Sequence, residues 1–163
     1  MWPVAVWLLS VTLAAPVPVI LTDQKPTVDG RLDDPVWRQG EWLDGLHVPG
    51  EAEPAPLQVR FKVAMDRESF YVAAQVEEPN RSGLKAPSGP ETRDAHLWNE
   101  DCVEVFLDCG TGGEEYYHFI VNPRGALYDA WNRRGFRGNA AAWNGDVEAA
   151  AAVADAGWTG ELA

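Results

Sequence analysis

The sequence predicts an all-β protein, an antiparallel β-sandwich of the immunoglobulin or jelly-roll kind with one short N-terminal helix. Apolar and polar residues alternate from Leu57 to Met65, which is the period-two pattern of a half-buried strand. A polar turn, 66–69, leads into the strand-like segment from Phe70 to Glu77, which is predicted to pair with the first in a hairpin. Further strand-like segments follow without helical crossovers, so two antiparallel sheets packed face to face are expected.

The other elements follow in chain order from the same kind of pattern. The N-terminal helix is predicted over 34–39, since Asp33 or Asp34 can cap it and Pro35 suits its first turn. Trp37 on this helix is expected to plug one end of the sandwich. The alanine-rich segment 149–154 would also suit a helix, but its place before a hairpin turn favours a strand. Strands are predicted within 17–21, 57–65, 70–77, 98–108, 116–122, 125–130, 147–154 and 158–162.

Length and charge bound the class of protein. The chain has 163 residues, enough for one domain with a sizeable core. Its formal net charge of -12 argues against nucleic acid, whose phosphates require lysine and arginine, and against an anionic membrane surface. Neutral sugars and divalent cations remain compatible partners.

The first fifteen residues are predicted to be a signal peptide, and residues 16–163 the folded domain. The run 4–15 is apolar, has the length of a signal peptide and ends in small residues that suit cleavage. A membrane anchor is the alternative, because the apolar run continues almost to Leu21, and a misplaced start is a third possibility. Pro16 and Pro18 would interrupt an anchor helix. We therefore expect a secreted or periplasmic protein that is free of the membrane after cleavage.

Two cysteines, Cys102 and Cys109, lie on or beside one predicted strand. They are seven residues apart, and at about 3.3 Å per residue an extended chain places them far beyond the reach of a disulfide. Free buried thiols are expected, and a disulfide partner beyond residue 163 is the alternative.

The predicted strands within 98–108 and 116–122 carry polar residues where a strand normally presents packing residues. Side chains two residues apart share one face of a sheet, so Glu104, His118 and Asn122 are predicted to look out of one face. Trp98 lies at the rim of that face, and a flat aromatic ring beside hydrogen-bonding groups suits a sugar ring. Further candidates for ligand contact are Trp131, Trp143 and Arg124.

Two long loops, 79–97 and 131–144, interrupt the strands. Loops of this length in a compact domain are usually functional or mobile. The second loop holds Arg133, Arg134 and Arg137, the densest positive charge in an acidic chain. It is a possible source of cationic donors to a ligand.

Each candidate residue also has a structural interpretation, which the sequence leaves open. The alternatives are an anchor of its loop in the core for Trp98, a salt bridge to Arg60 or Lys62 or a metal contact for Glu104, a turn role for Asn122 and Arg124, and a satisfied structural role for His118.

Four segments, taken in order, resemble the family 9 carbohydrate-binding modules. Segment 28–37 has the opening pattern D-G-x-h-D-x-x-x-W, in which h is hydrophobic, and 59–72 is similar to that family's central hairpin. Residues 98–108 match W-x-x-D-x-V-E-h-F-h-D, and the segment ending at Gly125 matches Y-h-x-F-x-x-N-x-x-G. The resemblance runs from about residue 18 to residue 163.

This resemblance implies a β-sandwich that binds sugars, often attached to an enzyme that degrades plant polysaccharides such as xylan or cellulose. It implies that Trp98 is a platform for the terminal sugar, Glu104 an acidic contact and Asn122 an amide contact. The chain departs from the family pattern at Ile120, where an arginine is expected, and the second tryptophan platform is expected beyond residue 163. The last strands of the sandwich are therefore expected to be missing.

Calcium is a second expectation, because some members of the family contain it as a structural ion. Calcium takes six to eight oxygen ligands, and carboxylates lie at the predicted strand ends, although their spacing locates no site. Three scattered histidines without a nearby cysteine argue against zinc. The acidic residues concerned are Asp29, Asp33, Asp34, Asp66, Glu77, Glu78 and Asp101.

Catalysis is not expected. Asp101 and Glu104 would lie on opposite faces of a strand, and Glu104 and Asp108 would be about 13 Å apart, which suits neither mode of glycoside hydrolysis. We expect a non-catalytic carbohydrate-binding module. The alternative is a structural or interaction module of a larger envelope or secreted protein. A third interpretation is a redox domain, for which Met65 and three histidines are the available axial ligands.

Overall fold

The computed structural model describes residues 16–48, 50–110, 112–135 and 139–163. The predicted signal peptide lies outside the described residues. Within them no helix is long and apolar enough to cross a membrane. The strands are β1 (Val19–Leu21), β2 (Val59–Met65), β3 (Phe70–Glu77), β4 (Val103–Leu107), β5 (Glu115–Val121), β6 (Leu127–Arg133), β7 (Ala149–Ala154) and β8 (Gly157–Leu162). Short 3-10 helices occupy Pro35–Arg38, Arg81–Gly83, Leu97–Asn99 and Ala140–Ala142.

The strands form two sheets, which confirms the predicted sandwich. One sheet has the order β1-β2-β3-β8-β7 and the other the order β4-β5-β6. Val72 and Leu162 of the first sheet pack against Val121 and Leu127 of the second, so the main core lies between the sheets. Every pair of neighbouring strands is antiparallel except β1 and β2, which run parallel. The prediction of wholly antiparallel sheets was therefore wrong for β1.

The predicted N-terminal helix is a single 3-10 turn of four residues that lies against the outer face of the five-stranded sheet. Its residues Val36 and Trp37 are buried against Tyr71 and Ala73 of β3. The expectation that Trp37 plugs one end of the sandwich was wrong, because the segment before β2 crosses the sheet and does not cap the gap between sheets. Asp34 occupies the N-cap position without a capping bond from its side chain.

Two buried charged side chains hold this segment on the sheet. The carboxylate of Glu161 accepts hydrogen bonds from the Trp37 indole Nε1 at 2.7 Å and from the backbone N–H groups of Asp29 at 3.1 Å and Gly30 at 2.8 Å. Lys62 Nζ donates to three backbone carbonyls between Trp37 and Gly40 at 2.6–3.0 Å. The motif at 28–37 therefore has a structural role, since its glycine and tryptophan both bind Glu161.

The alanine-rich segment is strand β7, as predicted, and the segment that contains Gly30 packs closely against its backbone. Gly30 has a φ of +81°, and a Cβ built on it would lie 2.4 Å from the backbone carbon of Ala151. The segment before the 3-10 turn thus meets β7 backbone to backbone. Such an approach requires glycine on one side.

Both cysteines are free, as predicted, but they differ in environment. Cys102 is half-buried and Cys109 is exposed, so the prediction that both are buried was wrong for Cys109. Burial, followed by the nearby carboxylates of Glu104, Asp101 and Glu100, raises the pKa of the Cys102 thiol to about 12.

Replacing Glu161 with glutamine is expected to destabilise the fold. The amide nitrogen is a donor, and it would face either the indole N–H or the backbone N–H groups that now bind a carboxylate oxygen. We expect the free energy of unfolding, measured by urea titration, to fall by about 2–3 kcal/mol. Glu148→Gln, at an exposed acid, is the matched control. An equal, small effect of both substitutions would contradict the role given to Glu161.

The thiols should differ in reactivity, because the thiolate is the nucleophile and Cys102 remains protonated near neutral pH. In native protein at pH 8, Ellman's reagent is expected to titrate one thiol per chain, and Cys109→Ser should remove that reaction. Both thiols of the wild type should react in urea. Rapid titration of a thiol in native Cys109→Ser would show that Cys102 is accessible.

Candidate functional site

The outer face of the three-stranded sheet combines aromatic and polar side chains. In the register of β4, β5 and β6, Glu104 pairs with Ile120 and Phe106 pairs with His118. The alternate residues Val103, Val105 and Phe119 face the core, so Glu104, Phe106 and His118 face outward. We call this surface the aromatic face. Its members are Trp98, Glu104, Phe106, Tyr116, His118 and Tyr128.

Glu104 and His118 form the polar centre of this face. His118 Nε2 lies 2.7 Å from Glu104 Oε2, and both side chains are half-buried. The pair stands in place of the salt bridge to Arg60 or Lys62 that was one alternative for Glu104. Lys62 lies on the other sheet and binds carbonyls of the segment before β2. Glu104 Oε1 has no hydrogen-bond partner among the described residues, where every buried side-chain nitrogen and oxygen has one. That oxygen is therefore open to solvent.

Trp98 lies at the rim of the face, in the 3-10 turn Leu97–Asn99 that precedes β4. Its half-buried ring packs against the cluster of Leu97 and Ile120, and it meets the Tyr128 ring edge-on, with centroids 5.3 Å apart. His96, which is exposed, stacks on the indole at 4.7 Å. Trp98 thus anchors its loop and also presents part of its ring at the rim, so the two interpretations are not exclusive.

Asn122 was predicted to look out of this face, but its side chain is fully buried. Its Nδ2 donates to the Ser88 carbonyl at 2.9 Å and to Glu100 Oε2 at 2.7 Å. Its Oδ1 accepts from the backbone N–H groups of Arg124 and Ala126. An amide offers two donors and two acceptor sites, and all four are used. The predicted ligand contact is replaced by the turn role, because the side chain joins the 85–101 loop to the turn after β5.

Two further candidates have structural surroundings. Arg124 is exposed and donates to the carbonyl of Pro87, so it fastens the same loop. Trp131 pairs with Tyr117, which shares a face of β5 with Phe119. Since Phe119 faces the core, Trp131 lies on the opposite side of the sheet from His118. The structure therefore does not bring Trp131 to the predicted site.

Two arginines of the 131–144 loop, Arg133 and Arg134, make contacts with neighbouring side chains of the protein. Arg133 lies over the Trp131 ring, with its guanidinium carbon 4.4 Å from the centroid, and Arg134 pairs with Glu114 at 2.6 Å. Arg137 lies outside the described residues. Trp143 packs against Tyr117 and so belongs to the core side of the sheet.

Sequence reasoning missed three members of the face, Phe106, Tyr116 and Tyr128. The alternation that selected Glu104 and His118 also places Phe106 and Tyr116 on the same face, so the signal was present. Tyr128 required the register of β6 against β5, which pairs it with Ile120.

The acidic residues proposed for calcium do not converge. Within the described ranges no group of three or more histidine, cysteine, aspartate or glutamate residues could hold a metal ion. Asp66 accepts from the hydroxyl of Tyr71 and from two backbone N–H groups, and these bonds lower its pKa. Asp101 accepts from the backbone of Lys85. Calcium therefore stays a prediction without a located site.

Comparison with solved structures shows the same fold in sugar-binding modules. The chain resembles a family 9 carbohydrate-binding module of Caldicellulosiruptor kristjanssonii in complex with cellotriose, at 21% identity over 89% of this chain and 66% of that one, with a TM-score of 0.55. The glucose complex gives 21% identity, 89% and 67% coverage and a TM-score of 0.52. A candidate carbohydrate-binding protein of Bacteroides uniformis gives 18% identity, 90% and 68% coverage and a TM-score of 0.62.

The chain thus spans about two thirds of the length of these structures. No curated protein matches it. The family described as carbohydrate family 9 binding domain-like matches residues 28–163. That match begins with the motif bound by Glu161 and includes the whole aromatic face. The chain belongs to this family of carbohydrate family 9 binding domain-like domains.

Proposed function

We propose that this chain is a secreted, non-catalytic carbohydrate-binding domain that holds the end of a plant-type oligosaccharide or polysaccharide on its aromatic face. The observation that carries the proposal is the row of contacts that joins Trp98, through Tyr128, to the Glu104–His118 pair on a sheet face that lies outside the core. The family to which the chain belongs and the relatives solved with cellotriose and glucose support it.

Stacking would supply most of the binding energy. The apolar face of a sugar ring packs against an aromatic ring, which is held here by Leu97 and Ile120 beneath it. His96 covers part of the indole, but it is exposed. Binding at this ring therefore requires that the exposed histidine moves aside.

Glu104 would orient the sugar. Its Oε2 is occupied by His118, and its Oε1 is open to accept a hydrogen bond from a hydroxyl. A charged acceptor makes a stronger hydrogen bond than a neutral one. His118 keeps the carboxylate in place, and its own ring is fixed between Phe106 and Tyr128.

The structural hydrogen bonds of the acidic residues near the aromatic face support a non-catalytic binding site. Glycoside hydrolysis needs two carboxyl groups on either side of the scissile bond. Glu100, the nearest acid before Asp101, accepts from Ser88 and Asn122, and Asp101 accepts from Lys85. Both acids thus have a structural use in the loop, which leaves Glu104 without a carboxylate partner for such chemistry.

Export, a structural calcium ion and attachment to a catalytic domain are parts of the proposal that rest on the sequence. The apolar run 4–15 supports export, and the net charge of -12 is compatible with a bound cation. A thermal melt with added calcium and with a chelator tests the ion, since a ligand that binds the folded state raises the melting temperature.

A second candidate function, a structural or interaction module without sugar binding, is favoured by one observation. Ile120 stands where the family arginine is expected and is fully buried, and Asn122 has no free hydrogen-bonding atom. The face therefore has fewer donors for hydroxyl groups than the sequence resemblance implies.

Trp98→Ala is expected to abolish sugar binding or to weaken it roughly tenfold or more, because it removes the stacking platform. Calorimetric titration with cellobiose, xylobiose and glucose, with calcium present, measures the change. Glu104→Gln should weaken binding less, since the amide retains an acceptor but loses the charge. Trp131→Ala, on the opposite side of the sheet, is the control and should bind as the wild type does.

Circular dichroism and thermal melting of each variant decide how the titrations are interpreted. Absence of heat with any sugar from folded wild-type protein would reject the proposal in favour of the interaction module. Loss of the fold in Trp98→Ala would assign that residue to the core, and Glu104→Gln would then carry the test of the site.

A further inference from the structure

Phe106 is a large apolar side chain that the core does not use. It lies on β4, two residues from Glu104 and on the same outer face, and 54% of its surface is exposed. Two residues along a strand correspond to about 6.6 Å. A ligand anchored at Glu104 would therefore reach Phe106 with its next sugar unit.

The Phe106 ring is held in place by its neighbours. It stacks on His118, with ring centroids 4.2 Å apart and planes inclined by 14°, and it contacts Tyr116 at 5.9 Å. A ring restrained in this way loses little conformational freedom when a ligand binds, which favours affinity.

Tyr116, which contacts this ring, and Asn132, the cross-strand neighbour of Tyr116, carry hydrogen-bonding groups that have no partner among the described residues. Tyr116 pairs with Asn132 across β5 and β6, and the alternation places both side chains on the outer face. The hydroxyl of Tyr116 and the amide of Asn132 take part in no hydrogen bond within the described part of the chain. Aromatic carbon next to free hydroxyl and amide groups is the chemistry that a sugar unit matches.

The surface around Phe106 is continuous with the site at Trp98. Tyr128 contacts Trp98 at 5.3 Å and His118 at 5.4 Å, and His118 in turn stacks on Phe106. The rings thus form an unbroken row from the rim loop, across the middle of the sheet, to its edge strand β4.

We infer that Phe106, with Tyr116 and Asn132, forms a second sugar subsite, so that the aromatic face binds an oligosaccharide of two or more units in preference to a single sugar. This inference rests on the proposed function, because the first unit is the one held at Trp98 and Glu104. The second unit stacks on the open side of Phe106, and its hydroxyl groups bond to Tyr116 and Asn132.

The test compares cellotriose with glucose as probes of the full chain by calorimetric titration. The wild type is expected to bind cellotriose roughly tenfold more tightly than glucose. Phe106→Ala should remove most of that difference, because cellotriose then loses the contact that its second unit makes. Asn132→Ala should reduce cellotriose affinity by about two- to fivefold, and Leu21→Ala, at an exposed apolar residue of the other sheet, is the control.

Phe106→Leu separates stacking from packing. Leucine keeps apolar contact with His118 and Tyr116 but lacks a flat ring, so it should bind cellotriose as Phe106→Ala does, with the melting temperature of the wild type. The subsite would be overturned if the wild type bound cellotriose and glucose with equal affinity, or if cellotriose binding were unchanged in Phe106→Ala and Phe106→Leu. In either case, glucose binding by the wild type would still support the proposed function. Absence of binding to both probes would overturn both.

Discussion

The buried carboxylate of Glu161 is the interaction on which the arrangement of this domain depends. It lies in β8, an interior strand of the five-stranded sheet, and receives three hydrogen bonds from the segment that precedes β2. Burial raises the pKa of Glu161, and the bonds from Trp37, Gly30 and Asp29 oppose that shift. An uncompensated buried charge costs several kcal/mol, so the segment has to remain in place for the charge to be tolerated.

Because Glu161 binds the segment before β2, that segment covers the outer face of the five-stranded sheet. Trp37 and Val36 pack on Tyr71 and Ala73 there, and Lys62 binds the carbonyls that follow the 3-10 turn. The other sheet keeps its outer face, and the aromatic row lies on that face. The difference between the two outer faces, one covered and one open, therefore depends on one buried acid in an interior strand of the larger sheet.

The aromatic face itself depends on the loop before β4. Asn122 and Glu100 bind each other, and both bind Ser88, so the loop is fixed to the turn after β5. This places the Leu97–Asn99 turn over Ile120 and sets the position of Trp98. A buried polar network of this kind stabilises a unique conformation when all of its members are satisfied. Asn122, which the sequence resemblance assigns to sugar contact, thus serves here to position Trp98.

The alternation of apolar and polar residues was sufficient to predict most strands, because a half-buried strand must present one kind of side chain to each face. The same alternation brought Glu104 and His118 together and, had it been followed further, included Phe106. It could not show that Asn122 is buried, since that residue lies beyond the end of β5 and its Nδ2 binds a loop that includes Ser88, 34 residues earlier. It also could not assign Trp131 to a face without the register of β6.

The sequence by itself determined the fold class, the order of the strands and the family, because these depend on local periodicity and on motifs of adjacent residues. The tertiary structure decided which outer face is covered and which is open, and which polar side chains are already satisfied. Those outcomes depend on hydrogen bonds between residues far apart in the chain, such as Glu161 with Gly30 and Glu104 with His118. A local pattern contains no record of such partners, since the geometry that joins them exists only after the sheets have packed.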